Sequence, residues 1–460
     1  MRLAPLTLAL VLAGCSLAPA IDTASLPTAP TAFKEGDGRW TTVTPAAAPS
    51  TGQWWKAFND PVLDDLVTRA EAANSDIRIA AGRLAQAHAL AKAADAERYP
   101  QASLDASAAR VAGIVDYSSG GPRTLGTVAA NLGYEVDLFG KLSQAARAAS
   151  LDARSAEALS ASTRLLVEAQ VAQAYLGLRA LDDERALVRS TVGAYRGTLD
   201  LTERRYRAGD VAELDVERAR TEVAATESDA LALDRRRAQL EHALAVLVGE
   251  TASNFTLPPA EWKTALPVIP AGVPSTVLTR RPDIAAAEAS MLAAQARVGA
   301  AKAAWFPDIA LTATGGYASP DLGDLFKWSA RAWGVGALFS LPIFDGGKRQ
   351  AGVDNAKGGM DAAVAQYREQ VLVAFRDVED QLGELRLLAD QAQAQARAVD
   401  SATRTTALSD VRYRNGLVSQ LDLLDARRSE LRNRREALQV RSAQYQATVG
   451  LVRALGGGWS

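Results

Sequence analysis

Three aspartates stand just past glycines that interrupt long helical patterns. Asp215 follows Gly209 by six residues, Asp422 follows Gly416 by six, and Asp425 lies three further on. Residues at i and i+3 share one helix face, so Asp422 and Asp425 set two carboxylates side by side. One chemistry open to them is helix capping, because Ser419-x-x-Asp422 fits a capping box. The position corresponding to Ser419 is Ala212, yet Asp215 is kept, so capping does not account for both. Nothing else resembles catalytic apparatus. Gly346-Gly347-Lys348 lacks the upstream glycine and the following Ser/Thr of a phosphate loop. The two histidines, His88 and His242, are too far apart to read as a metal or triad motif and fall on helical patterns, as structural residues do. The arginines between Arg427 and Arg435 read as the solvated face of a coiled coil. The sequence predicts no enzyme, no cofactor and no metal site.

The composition narrows the class. The 460 residues carry a net charge of −2, are 48% hydrophobic and only 6% aromatic, and spread their 51 basic residues along the chain. A nucleic-acid partner would need those cations in excess and clustered, so none is expected. Met1-Arg2, the apolar stretch Leu3 to Leu12 and the small residues before Cys15 form a signal peptide, too short for an anchor helix. Small residues before a cysteine resemble the bacterial lipoprotein box, which makes Cys15, the one cysteine, a lipidated N-terminus. Ser16, rather than Asp, resembles the sorting signal for the outer membrane. Residues 17–50, rich in Pro, Ala and Thr, read as a tether. No run of 18 apolar residues follows Cys15, so the mature chain has no transmembrane helix and can cross a membrane only as strands of a closed barrel.

Internal repetition organises the rest. Asn74-Ser75-Asp76-Ile77 answers to Arg281-Pro282-Asp283-Ile284, Tyr99-Pro100 to Phe306-Pro307, Gly140-Lys141 to Gly347-Lys348, and Arg205-Tyr206-Arg207-x-Gly209 to Arg412-Tyr413-Arg414-x-Gly416, always 207 residues apart. The chain is read as a signal peptide (1–14), a lipid-anchored tether (15–52) and two repeats (53–259 and 260–460). Each repeat reads helix, two strands, long helix, break, helix. Proline is absent between Pro122 and Pro258 and after Pro342, which permits very long helices. Val171, Ala174, Leu178, Leu181, Arg185, Val188, Val192, Tyr195 and Leu199 alternate by three and four. So do Val371, Phe375, Val378, Leu382 and Leu385, while Leu424, Leu431, Leu438, Tyr445 and Val452 recur every seven. That period marks a coiled-coil seam. A helix from Lys141 to Arg207 would measure about 100 Å, so an elongated molecule is expected. Strands are predicted at 102–112, 127–138, 309–318 and 332–343, each alternating apolar with polar or tiny residues. Four strands cannot close a membrane barrel, whereas three chains sharing one barrel would supply about twelve.

The chain resembles the TolC-like outer-membrane factors, and within them the lipoprotein efflux channels. The carrying residues are Trp54-Trp55-Lys56-Ala57-Phe58-Asn59-Asp60-Pro61 with Leu66, Arg83-Leu84-Ala85-Gln86-Ala87, Tyr134-Glu135-Val136-Asp137-Leu138-Phe139-Gly140-Lys141 and Leu341-Pro342-Ile343-Phe344-Asp345-Gly346-Gly347. The motif Arg-Tyr-x-x-Gly-x-Val-x-x-Leu-Asp closes the set at Arg205 and again at Arg412. The resemblance implies a homotrimer with a shared twelve-stranded barrel in outer-membrane lipid and a periplasmic α-barrel of coiled-coil helices. It implies an equatorial band drawn from the N-terminal region, the linker Phe255 to Pro274 and the C-terminus. Its function would be passive export, as the exit duct of a tripartite efflux pump, with a periplasmic adaptor and an inner-membrane transporter as partners. The alternatives are the duct of an ATP-driven secretion system and a non-channel periplasmic coiled-coil lipoprotein. The resemblance also implies that Asp215, Asp422, Asp425 and Tyr413 line a periplasmic aperture, with acidic rings that favour cations. Gly209, Gly416, Val211 and Val418 would form the helix-tip turns that meet the adaptor. Val418 stands where some relatives place a basic residue, so no inter-protomer salt bridge is expected there.

Overall fold

The computed structural model describes residues 17–22, 26–36, 52–111, 123–269, 277 and 279–457. Cys15 and the segment 112–122, with Tyr117 and Gly120-Gly121-Pro122, lie outside them. In chain order the principal elements are α1 (Pro61–Ala73), α2 (Ser75–Ala96), β1 (Gln101–Val111), β2 (Arg123–Glu135), α3 (Lys141–Arg207) and α4 (Glu213–Leu247). Then come α5 (Pro282–Ala303), β3 (Asp308–Ser319), β4 (Arg331–Ser340), α6 (Lys348–Arg414) and α7 (Gln420–Ala454). Helices α3 and α6 have 67 residues each, and α4 and α7 have 35 each. The matched helices begin 207 residues apart. Two compact units result, and each draws segments from both copies: Met1–Pro27, Gly82–Ala158 and Ala285–Gln370 in one, Thr28–Ala81, Leu159–Ile284 and Val371–Ser460 in the other.

The first unit holds one antiparallel sheet in the order β1-β2-β3-β4, which leaves β1 and β4 as free edges among the described residues. Register decides which side chains share a face: Asp105 pairs with Ala129, Ala129 with Gly316 and Gly316 with Ala332. On that face lie Ser103, Asp105, Ser107, Thr127, Asn131, Thr312, Thr314, Gly334 and Gly336. The opposite face carries Leu104, Ala106, Val128, Ala130, Leu132, Leu311, Ala313, Trp333, Val335 and Phe339. A hydrogen-bonded run crosses the polar face. The Ser107 and Thr127 hydroxyls lie 2.7 Å apart, Asn131 Nδ2 donates to Asp105 at 2.6 Å, and Thr314 donates to Asn131 Oδ1 at 2.8 Å. Gly316 must be glycine, since a Cβ would stand 2.1 Å from the Val128 carbonyl.

Turns at the foot of the sheet aim the long helices. The Asp137 carboxylate accepts from the Leu142 and Ser143 amides at 3.0 and 2.7 Å, capping α3. Asp345 does the same for α6 through Gly347 and Arg349, and it also takes Arg349 Nε at 2.6 Å. Phe139 stacks on Phe306 at 4.6 Å between the two junctions. Alanine then permits close helix packing: Ala293, Ala296 and Ala303 are buried, and Ser155 donates to the Ala286 carbonyl at 3.0 Å.

In the second unit the predicted seams are buried. Val171, Leu178, Val188, Val192 and Tyr195 are buried on α3, Val371, Val378, Leu382 and Leu385 on α6, and Leu424, Tyr445 and Val452 on α7. Both copies end by the same device. Asn74 Nδ2 donates to the Leu247 carbonyl at 2.9 Å, and its counterpart Arg281 donates from Nη1 to the Ala454 carbonyl at 3.1 Å. One residue type changed while the helix-end carbonyl kept its donor. Beside each, a left-handed glycine lets two backbones meet: Gly249 (φ +76°) against Ala73 and Gly456 (φ +92°) against Arg280. A Cβ at Gly249 would stand 2.7 Å from Ala73, so Gly249→Ala is expected to cost about 2 kcal/mol from strain and collision together. A melting temperature equal to that of the unchanged protein would refute this.

Candidate functional site

The second unit carries the two helix breaks. After α3, Gly209 takes φ +82°, with Asp210 N donating to the Arg205 carbonyl at 2.9 Å and Gly209 N to that of Tyr206 at 3.0 Å. After α6, Gly416 takes φ +71°, and Leu417 N donates to the Arg412 carbonyl at 2.8 Å. Both are left-handed helix stops that turn the chain into the next helix. The half-buried Val211 and Val418 follow the turns, and Leu214 and Leu421, a matched pair, are exposed at the starts of α4 and α7.

The aspartates are held differently from one another. Asp422 closes the capping box: its Oδ2 accepts from Ser419 N at 3.0 Å and Ser419 Oγ at 2.7 Å. The Ser419 hydroxyl and amide hold its carboxyl below the usual range. Asp425 is largely exposed and lies 3.3 Å from Arg428. Asp215 pairs loosely with Arg218 at 3.6 Å, and Ala212 gives α4 no side-chain cap. Tyr413 is only 2% exposed, so in the single chain it lines no opening. Its hydroxyl lies 3.1 Å from Thr202 Oγ1, across to the other copy, and Gln420 Nε2 reaches Thr202 at 3.3 Å. Arg205 lies over the Tyr413 ring at 4.8 Å and donates to the Tyr413 and Arg414 carbonyls, closing the end of α6. Thus Arg205, Tyr413 and Thr202 clamp the two helical hairpins together. Four of the five arginines from Arg427 to Arg435 are paired: Arg427 with Asp410 at 2.8 Å, Arg434 with Glu430 at 3.0 Å, Arg435 with Glu184 at 2.8 Å, and Arg428 with Glu222.

Farther along the helices lies a buried polar centre, of which the predicted seam included only Arg185. Asp182 accepts from Arg237 Nε at 2.7 Å and Arg185 Nη1 at 3.3 Å on one oxygen, and from Arg179 Nη1 at 2.9 Å on the other. Arg179 and Arg237 also donate to the Pro258 and Leu257 carbonyls, at 2.9 and 2.5 Å, and pin the linker onto α3 and α4. Nearby, Asp60 caps α1 at Val62 and Leu63 while accepting from Tyr175 at 2.8 Å and Thr264 at 2.6 Å. Trp54 Nε1 donates to the buried Glu168 at 2.9 Å. Among the described residues, no group of His, Cys, Asp and Glu could hold a metal ion. His88 and His242 are both exposed.

A sheet with one apolar face, one polar face and two open edges is a wall segment, and the second unit carries duplicated helical hairpins. That is the plan of a channel assembled from several chains. The comparisons agree. A family model described as outer membrane efflux protein matches residues 66–250 and 273–457. The chain is 34% identical to the probable efflux pump outer membrane protein TtgC of Pseudomonas putida, over 98% of this chain and 94% of that protein. It is 32% identical to the cation efflux system protein CusC of Escherichia coli, over 100% and 99% respectively. Among solved structures, the outer-membrane channel OprN superposes with a TM-score of 0.90 at 29% identity, covering 97% of this chain and 100% of that one. The chain belongs to the outer membrane efflux protein family, and its fold is that of these channels.

Proposed function

We propose that the chain forms, as a homotrimer, the passive exit duct of a tripartite efflux pump, joined in the periplasm to an adaptor and through it to an inner-membrane transporter. The observation that carries this is the sheet: its apolar face suits lipid and its polar face a water-filled lumen, while edges β1 and β4 need neighbours. Three copies supply about twelve strands, a number seen in closed barrels. The duct performs no chemistry of its own, since energy enters at the transporter. The relatives include proteins named for toluene efflux and for cation efflux, in keeping with a permissive duct whose selectivity lies in the pump. Lipid on Cys15 anchors the tether in the outer membrane. Native mass spectrometry of the detergent-extracted protein is expected to give a trimer, and planar-bilayer recording discrete conductance steps. A monomer without conductance would overturn the reading.

The helix tips form the periplasmic aperture in this reading. Three copies each of Asp215, Asp422 and Asp425 narrow it and favour cations. Tyr413 fixes the hairpins from behind, and the turns at Gly209 and Gly416, with Val211 and Val418, present the adaptor contact. Asp422→Ala with Asp425→Ala is expected to raise conductance roughly twofold or more and to weaken cation preference. Because Asp422 also caps α7, Ser419→Ala is the control: it removes the cap, costs about 1 kcal/mol and leaves cation preference in place. Unchanged conductance in the double variant would count against the gate.

A further inference from the structure

The lipid-facing side of the sheet carries two charged residues among the described ones, Arg110 and Arg331. Register establishes their face. Arg331 pairs with Tyr317, and Val128 joins Tyr317 to Ala106, so Arg331 points as Ala106 does, and so does Arg110 two pairs of residues along β1. The remainder of that face is the apolar set from Leu104 to Phe339, with Thr124 opposite Arg110 and Ser319 at the end of β3 as neutral polar members. Height is established as well. Helices meet the sheet at the end that holds Gln101, Glu135, Asp308 and Ser340, whereas Arg110 is the penultimate residue of β1 and Arg331 the first of β4. Both therefore stand at the outer rim, where a lipid-facing charge costs least.

An arginine pair on a lipid face needs an anion. Arg331 lies 4.2 Å over the Trp328 ring, and neither Arg331 nor Arg110 has a carboxylate partner among the described residues. The neighbouring Lys327 is already paired with Asp324 at 2.5 Å. Phe326, Trp328 and Trp333 are 70%, 75% and 76% exposed, as aromatic side chains at the headgroup level of a bilayer are. β1 and β4 are the two free edges, so closure of the barrel sets β4 of one subunit against β1 of the next and brings both arginines to one seam. A guanidinium fork matches phosphate oxygens two at a time.

We propose that Arg110 of one subunit and Arg331 of its neighbour bind a phosphate group of the phosphorylated glycolipid in the outer leaflet, giving one lipid site per seam. This rests on the trimeric-barrel reading above. The stack on Trp328 orients Arg331 beforehand, and the exposed aromatics receive the acyl and sugar portions beside it.

The test uses the full-length trimer in detergent, with bisphosphorylated lipid A as probe, read by native mass spectrometry and by thermal shift. Wild type is expected to retain up to three lipid A molecules per trimer and to melt at higher temperature with them. Arg110→Gln with Arg331→Gln is expected to lose roughly tenfold or more in apparent affinity while remaining trimeric. Arg110→Lys with Arg331→Lys should recover part of the loss, since charge returns without the fork. Equal retention by wild type and the Gln variant, or equal response to dephosphorylated lipid A, would overturn the proposal. Equal stabilisation by phosphatidylglycerol would overturn the glycolipid assignment. A wild-type protein that is not trimeric would refute the barrel reading instead, which keeps the two failures apart.

Discussion

Asp182→Asn is expected to destabilise the protein by about 3–5 kcal/mol, the usual cost of breaking a buried ion pair from one side. Asp182 has 3% of its side chain exposed, Arg179 5%, Arg237 9% and Arg185 12%. The carboxylate is the anion these three cations share. Removing its charge leaves Arg237 with Glu241 at 2.9 Å, Arg185 with Asp234 at 2.6 Å, and Arg179 with the Pro258 carbonyl and the Tyr175 ring but no carboxylate. The uncompensated cation, rather than the lost contact, dominates the cost. The linker should loosen too, because Arg179 and Arg237 position the Pro258 and Leu257 carbonyls and Asp182 itself accepts from Ala260 N at 3.4 Å. Thermal unfolding of the detergent-solubilised trimer, with limited proteolysis mapped over 255–265, reads both effects. Arg196→Gln is the comparison: its pairing with Glu227 is exposed and contributes less than about 1 kcal/mol. An Asp182→Asn protein no less stable than Arg196→Gln, with an intact linker, would show that the centre is dispensable.

That centre also shows where sequence reasoning stops. Arg185 falls on the predicted seam, whereas Arg179 and Asp182 lie off it, and polar residues off a seam describe the outer face of any solvated helix. They are buried because a linker more than seventy residues away folds over them, and nothing in a local window records that. The seams were legible for the opposite reason: the three-four spacing of Val171, Leu178, Val188 and Val192 is itself the cause of their burial. Strands were legible in type and face, because alternation at Leu104, Asp105 and Ala106 is what a two-faced sheet requires. Their ends were not. β2 was expected over 127–138 and occupies Arg123–Glu135, since Thr124-Leu125-Gly126 pairs without alternating apolar with polar residues. At the other end Val136 still donates to the Ile309 carbonyl, but Asp137 turns away to cap α3. β4 was expected over 332–343 and stops at Ser340, just before Pro342, which lacks an amide for the ladder. The tip turns were legible from glycine spacing. Tyr413 was not: its burial depends on Thr202 and Arg205 from the other copy.

Glu168→Gln is expected to stabilise the protein at pH 8 by about 3 kcal/mol and to change little at pH 4. Burial pushes the Glu168 carboxyl up from 4.5 to about 7, with the Trp54 N–H opposing and the nearby Glu71 carboxylate adding to the rise. A carboxyl whose folded value lies above its unfolded one favours the fold while protonated. Its contribution is complete below about pH 4.5 and is lost as pH rises through about 7. Above that, folding forces a charge into the buried site beside Trp54. Glutamine keeps an oxygen to accept the Trp54 N–H and removes the charge, so the variant should lose this part of the pH dependence. Glu71→Gln should act at one remove, lowering the Glu168 midpoint by removing the neighbouring negative charge. Melting temperatures of the wild type and both variants from pH 4 to 8 measure this directly, as the difference between proteins at each pH. A difference between wild type and Glu168→Gln that stays flat across that range would show that Glu168 is ionised in the fold and that the Trp54 contact tolerates the charge.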